Sequence, residues 1–448
     1  MSRILFENAL LVNEGESFEG WLLTEGPLIG SLGRGVAPDD VVALADERID
    51  ASGKMLLPGV IDTHVHFRDP GLTEKADMAT ESRAAVAGGV TSFLDMPNTV
   101  PQTTSIEALE AKKARAAEVS EANYGFFIGA TNNNIDTLRK VDFTKVPGVK
   151  LFLGSSTGNM LVDAESTLHK LFEEIDAVIA VHAEDEAVIA AARERLKAEW
   201  PDGIPVELHP DVRPREACVA ATRRAISLAE ETGARVHVCH VSTADELRLI
   251  ADAKRRGVKV TAETCPQYLL WDRNDFLTLG ARVKCNPSIK EASDRIALVR
   301  ALAEGGVIDT IATDHAPHLL SQKQGDALKA ASGMPMIQFS LPAMLDLAAT
   351  DPEAEDLVTP GRIVELMCHA PARLFGIERR GFLRPGYYAD LVLVEPVGLS
   401  GGKISDTDVV SRCGWTPLAG RHLSYRVDST WVNGRKGGGS AMALEFEK

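Results

Sequence analysis

The chain is poor in three things, and each absence excludes something. No uncharged apolar run reaches the roughly 18 residues that a membrane-spanning helix needs, and Met1-Ser-Arg-Ile-Leu-Phe-Glu-Asn8 carries no apolar core of the signal-peptide kind. Paired cysteines are missing too. The six, at 218, 239, 265, 285, 368 and 413, are scattered, none in a Cys-x-x-Cys pair, and several sit in strand-like runs. Buried reduced thiols in a cytoplasmic protein are therefore expected, not disulfides. Finally, basic charge is short: 48 Lys and Arg stand against 64 Asp and Glu, a net −16. Such a surface repels nucleic acid and anionic membranes, so neither is an expected partner. A small anionic substrate is not excluded, since one local arginine or metal ion overrides the global charge. Low-complexity sequence is nearly absent; Gly437-Gly-Gly-Ser440 reads as a loose tail.

What is present is ordinary globular composition, 45% hydrophobic and 25% charged, in 448 residues, enough for one large domain and a smaller one. Short strands separated by turns fill the first 55 residues: Ile4–Leu11, Glu19–Thr24, Leu28–Leu32 and Val41–Ala45. Similar strands recur at Ala389–Glu395 and Arg426–Val432, before a turn at Asn433-Gly434. Between them, apolar runs alternate with helical patterns. The runs are Leu57–His66, Val90–Met96, Tyr124–Ala130, Val149–Leu153, Ala177–His182, Arg235–His240, Val258–Glu263 and Val307–Asp314. Helices are expected at Met78–Gly88, Ser105–Ala122, Asp185–Glu199, Pro214–Gly233 and Ala244–Gly257. Eight such repeats point to a (β/α)8 TIM-type barrel over 57–382, with chemistry at the carboxyl ends of its strands. Residues 1–56 and 383–448 would pair into a small β domain built from both chain ends. A doubly wound open sheet is the alternative architecture.

Potential metal ligands recur at those strand ends. His64 and His66 alternate onto one face where the first strand runs out. Lys150 lies on strand four, His182 on five, His240 on six and Asp314 on eight, so in a closed barrel all six converge on one mouth. Lys150, within Gly148-Val-Lys-Leu-Phe-Leu153, has two readings. It is a lysine that snorkels or pairs with an acid, or a neutral amine that adds carbon dioxide and bridges two cations as a carbamate. Asp314 can take a proton from an activated water and return it to a leaving nitrogen. Arg68 continues the His64, His66 alternation and suits a substrate carboxylate. Asn98, in Met96-Pro-Asn-Thr99, and His318, in Thr313-Asp-His-Ala-Pro-His318, stand nearby. His237 is expected on the opposite face from His240, and His315 pointing away from Asp314.

Five segments together resemble the metal-dependent amidohydrolase superfamily and, within it, the dihydroorotases: Asp62–Gly71, Gly88–Asn98, Val149–Phe152, Val181–Asp185 and Thr313–His318. The likeness runs from the N-terminal strands through Asp390. It implies two zinc ions per chain: His64, His66 and Asp314 on the more buried one, His182 and His240 on the more exposed one, and carboxylated Lys150 bridging. It also implies Asp314 as the catalytic proton carrier, and Arg68, Asn98, His318 and Asn286 as substrate contacts. The implied reaction is the reversible hydrolysis of L-dihydroorotate to N-carbamoyl-L-aspartate in pyrimidine biosynthesis, possessed by an enzyme that in this family can be a homodimer. Allantoinases and hydantoinases share the metal ligands and form the alternative, but their rings lack the carboxylate that Arg68 suits. A non-catalytic scaffold homologue, for example one serving a transcarbamoylase, is a further alternative, against which stands the full ligand set. Two segments depart from the dihydroorotase pattern. Thr264-Cys-Pro-Gln-Tyr268 replaces Thr-Pro-His-His, and Ala331-Ser-Gly-Met-Pro335 replaces a segment with Pro-Phe-Gly. Both bear on ring contacts at the rim.

Overall fold

The computed structural model describes residues 2–154 and 160–448. Its centre is a (β/α)8 barrel of parallel strands. In order these are Val60–Val65, Val90–Asp95, a third strand in two pieces (Asn123–Phe126 and Ile128–Gly129), Gly148–Phe152, Val178–His182, Val236–Val238, Val260–Thr264 and Thr310–Ile311. Strands one to three form one ladder and the second piece of strand three to strand eight another. The ring closes where Val65 bridges His315 and His66 N donates to His315 O at 2.8 Å. Asp62 ties the same seam, accepting from Thr313 N at 3.1 Å and Thr313 Oγ1 at 2.6 Å. Every residue of strand one is buried, because the barrel interior lies on one side and helices on the other.

The helices start where their caps dictate. Asp77 accepts from Thr80 N to open Met78–Ala87, Ser105 from Ala108 N to open Ile106–Val119, and Asp185 from Val188 N to open Glu186–Glu199. Thr243 does the same for Ala244–Arg255, and Gly233, at φ 76°, ends Arg215–Thr232 in the left-handed conformation.

Both chain ends build one mixed sheet. Leu391–Pro396 lies antiparallel to Met55–Pro58, which runs parallel to Ile4–Asn13. Outside these lie Glu16–Glu25 and Leu28–Arg34 on one flank, and Tyr425–Val432 and Arg435–Lys436 on the other. The sequence reading of Leu57–His66 as one strand is corrected here. Gly59 splits it, and Met55–Pro58 belongs to the small sheet. Thr91 approaches so closely that a side chain at position 59 would collide with it. The expected strand Val41–Ala45 is also corrected: Asp39–Val42 is a short helix after Pro38, with Asp39 and Asp40 in its first turn. The strand follows instead at Glu47–Asp50, parallel to Ile4–Glu7.

The tail is not loose. Ser440 Oγ donates to Val432 O at 2.6 Å, Leu444 N to Tyr124 O and Glu447 N to Gly376 O. Leu444 and Phe446 then pack beneath the barrel with Phe127, Cys239 and Phe375. Apolar burial holds the segment where composition predicted mobility. Deleting residues 441–448 removes two buried side chains worth roughly 1.5–3 kcal/mol each. The expected result is a lower urea midpoint for the whole chain, read by circular dichroism, with a parental midpoint as the contrary outcome.

Candidate active site

Six side chains from five strand ends meet at the barrel's carboxyl end. His64 is in strand one, His66 just beyond it, Lys150 within strand four and His182 last in strand five, while His240 and Asp314 follow strands six and eight. Together with Arg68, Asn98, Phe152, Asn286, Ala316, Ser332 and Gly333 they line a small cavity. A larger cavity opens at the opposite end, beside Val178, Val236 and Val260 at the starts of their strands, and gathers no such donor set. Convergent chemistry, not size, marks the site.

His66 Nε2 lies 3.0 Å and His64 Nε2 3.5 Å from Asp314 Oδ1. The other ring nitrogens are engaged: His64 Nδ1 with Glu263 Oε1 at 2.7 Å, His66 Nδ1 with Asn98 Oδ1 at 2.7 Å. Both acceptors take a proton from Nδ1 and leave the Nε2 lone pairs facing Asp314, which is how ligating imidazoles are oriented. Opposite, His182 Nδ1 and His240 Nε2 stand 2.9 Å apart. Two lone pairs that close need a proton or a cation between them. His182 Nε2 contacts Glu184 Oε2 at 3.0 Å, and Arg213 holds Glu184 in turn, its Nε 3.0 Å from Oε1. Burial, first of all causes, lowers the pKa of all four imidazoles; Lys150 adds to it at His64, Arg68 at His66 and His182 at His240. Burial thus favours their neutral form, the state that ligates metals. Burial raises the Asp314 carboxyl, with His64 and Lys150 opposing. At Glu263 burial is outweighed by His64 and His237, so this acid stays well below the usual carboxylate range.

Lys150 is fully buried between these groups. Its Nζ donates to Cys239 Sγ at 3.1 Å and sits 5.4 Å from the Phe152 ring centre. Among the described residues no carboxylate lies within 4.0 Å of it, so the reading in which it pairs with an acid finds no such partner there.

Strand alternation alone does not place this set. Arg68, His240 and Asp314 have φ of 66°, 41° and 47°, left-handed conformations that cost non-glycine residues energy and cluster at functional sites. The turn at His240 swings its ring toward the mouth while Cys239 faces Lys150. His237 is not on the far side as alternation predicts: it bonds Thr261 Oγ1 at 2.9 Å and its Nε2 comes within 3.6 Å of Glu263 Oε2. His315 does point away from the site, to Glu81 at 2.7 Å. Arg68 lies on the cavity wall, donating from Nε to Pro317 O at 3.2 Å and from Nη2 to His318 Nε2 at 3.1 Å. His318 is thus behind Arg68 and not among the lining residues. Asn286 lines the wall beside His209, 3.2 Å from its Nε2.

Sequence reasoning missed the supporting shell. Glu263, next to last in strand seven, and Glu184, two residues after His182, orient metal-type histidines; an acid near a strand end was the same signal that singled out Asp314. A buried pair, Lys112 with Asp95, was also missed. Asp95 Oδ1 accepts from Phe67 N at 2.8 Å and Lys112 Nζ donates to Met96 O at 2.8 Å, which clamps the segments carrying Arg68 and Asn98.

Neutral imidazoles with fixed tautomers, a converging carboxylate and a facing second imidazole pair make a donor set that fits divalent cations; His64, His66 and Asp314 already lie close enough to share one. A strand-end centre of this kind, at the mouth of a barrel, can hold cations that activate a water for hydrolysis. The chain belongs to the amidohydrolase family, whose model matches residues 55–436. It is 36% identical over 408 residues to an allantoinase of Streptomyces avermitilis, covering 90% of this chain and 88% of the relative. It is 36% identical over 412 residues to a dihydroorotase of Halobacterium salinarum, covering 88% and 92%. Among solved structures, the L-hydantoinase (dihydropyrimidinase) of Arthrobacter aurescens superposes with a TM-score of 0.91 at 30% identity, covering 100% of this chain and 98% of that one.

Glu263 provides a direct check on the donor set. Glu263→Gln keeps the size but loses the charge that holds His64 Nδ1–H, so metal affinity is expected to fall about 10–100-fold. Competition with a chromophoric chelator reads this without any substrate, and parental affinity would remove Glu263 from the site.

Proposed function

We propose that this enzyme is a dihydroorotase, hydrolysing L-dihydroorotate reversibly to N-carbamoyl-L-aspartate in pyrimidine biosynthesis. The observation that carries the reading is Arg68. The residue is 2% exposed and lines the cavity wall, and no carboxylate lies within 4.0 Å of its guanidinium among the described residues. Burial pushes its pKa down to about 10, which leaves it charged at neutral pH. A buried cation without a counterion is costly, and a substrate carboxylate supplies the missing charge through a charge-assisted contact. Dihydroorotate carries that carboxylate; the hydantoin and allantoin rings do not. His318, neutral because burial and then Arg68 push it down to about 2, holds the guanidinium in place from behind. Asn98 fixes His66 from its oxygen and is assigned to the same anion through its amide. Asn286 is assigned to the ring.

The site is proposed to take two zinc ions, one on His64, His66 and Asp314 and one on His182 and His240, with carboxylated Lys150 shared between them. Bound there, the cations supply an acidified water and polarise the ring carbonyl. The protein's own part is proton movement and positioning. Asp314, its pKa raised by burial, takes the proton of the attacking water and delivers it to the ring nitrogen as the amide bond breaks. Lys150, once deprotonated, adds carbon dioxide and releases a proton, which turns a buried cation into the anion that a dication site needs. Six buried free cysteines agree with a reducing, cytoplasmic setting.

The allantoinase of Streptomyces avermitilis, as similar at 36% identity as the dihydroorotase of Halobacterium salinarum, supports a second reading in which a ring without a carboxylate is the substrate. The purified enzyme is expected to hydrolyse dihydroorotate in preference to allantoin, hydantoin and dihydrouracil; preference for any of those selects the second reading. Arg68→Met is expected to keep its metal and to lose at least about tenfold in kcat/KM for dihydroorotate, the worth of a charge-assisted contact of roughly 1.5–3 kcal/mol. Activity on dihydrouracil, low in the parent, should be nearly indifferent to that change. Lys150→Ala should lose metal and activity together, with partial recovery in acetate. A fully metallated site with an unmodified Lys150 amine in electron density would end the carbamate assignment.

A further inference from the structure

Three lysines are buried beside the cavity, away from its metal-type ligands: Lys284, Lys290 and Lys323, none more than 5% exposed. Among the described residues none of their ammonium groups has a carboxylate within 4.0 Å, and each is held by backbone carbonyls instead. Lys323 is the most fully engaged. Its three protons go to Lys284 O at 2.9 Å, Ala331 O at 2.7 Å and Gly333 O at 2.7 Å. The Trp415 ring, 5.8 Å from the ammonium, covers it, and Trp415 Nε1 donates to His318 O at 2.7 Å.

Those carbonyls belong to two separate loops. Lys284 stands two residues before Asn286, while Ala331 and Gly333 flank Ser332; Asn286, Ser332 and Gly333 all line the cavity. Gly333 N also donates to Lys284 O at 2.8 Å. At φ 128°, Gly333 lies so close to Ala316 that a Cβ would come within 2.6 Å of Ala316 O. The two loops are therefore drawn together and pressed against the segment that follows Asp314. An apolar side chain could fill the space of Lys323 without burying a charge. It could not bring three carbonyls to one point.

We propose that Lys323 is a positioning residue, setting the spacing between Asn286 and the Ser332–Gly333 backbone so that the cavity grips the ring of its cyclic-amide substrate. This rests on the reading that the cavity binds such a ring, and is independent of whether the ring carries a carboxylate. Lys323→Met and Lys323→Arg test it, beside Arg380→Met, which removes a buried partner of Asp390 and Asn433 in the small sheet, remote from the cavity. Hydrogen exchange reads the loops without any substrate: it should rise in Lys323→Met at residues 284–286 and 331–333 and stay parental there in Arg380→Met. With the ring substrate that the parent prefers, Lys323→Met should lose about tenfold or more in kcat/KM, metal content unchanged, and Lys323→Arg should lose less. Arg380→Met should lower stability and leave kcat/KM at the parental value. Parental exchange in both loops overturns the proposal, as does a catalytic loss in Lys323→Met no larger than that in Arg380→Met. If Lys323→Met fails to fold, Lys323→Arg decides. It keeps the charge but not the three-carbonyl geometry, so a reduced kcat/KM supports the proposal and parental values overturn it. A parent that turns over no cyclic amide would fail the functional reading, while the exchange result would still decide the tie between the loops.

Discussion

Taking four imidazoles, an aspartate and a lysine out of water at one end of a barrel sets the terms for the rest of this structure. Each group is a donor or acceptor whose unsatisfied burial is expensive. The protein meets most of that demand internally. Glu263 and Asn98 take the outward ring nitrogens of His64 and His66, and Glu184, itself held by Arg213, takes that of His182. What is left unanswered faces the cavity: imidazole lone pairs, one carboxylate and an ammonium against a sulfur. That remainder is the complement of a cation cluster, so satisfying the buried polar groups and building the site are one physical problem.

The same logic orders the surroundings. Among the described residues Arg68, buried and charged, is bonded to neutral partners alone, while Lys112 and Asp95 neutralise each other one layer further out and hold the segments on both sides of it. The lining of one cavity thus carries two kinds of incompleteness, imidazole lone pairs suited to cations and a buried guanidinium suited to an anion. Lys323 differs again. Its charge is met by carbonyls, and the use of that charge is to bring two loops together.

Backbone strain falls where the site needs it. Left-handed conformations at Arg68, His240 and Asp314 turn side chains inward at points where a regular strand would have aimed them elsewhere. The ladder on either side over-determines these residues. Thr313 is bound to Asp62, His66 N to His315 O, and His240 N to Glu263 Oε1 at 3.2 Å, so relaxing one turn would break the seam or the neighbouring strand.

Local pattern determined a good deal of this molecule. Alternating runs and helices marked out the eight barrel strands, and the caps that begin the helices are readable as Asp77, Ser105, Asp185 and Thr243. Periodicity reports which end of a strand a residue occupies, so His64, His66, Lys150, His182, His240 and Asp314 were visible as strand-end groups, and the pair spacing of Arg68 marked it as their neighbour. Periodicity does not report what a side chain meets across the barrel. Glu263 reaches His64 over 199 residues of chain, and Lys323 is meaningful only because two distant loops arrive at it. The inward turn of His240, the break at Gly59 and the docking of Leu444 and Phe446 beneath the barrel depend equally on ring closure. Hydrogen-bond partners, left-handed turns and tail packing are settled by long-range contacts, whereas strand ends and caps are settled by near neighbours, and that difference in range separates what the sequence determined from what only the tertiary structure decided.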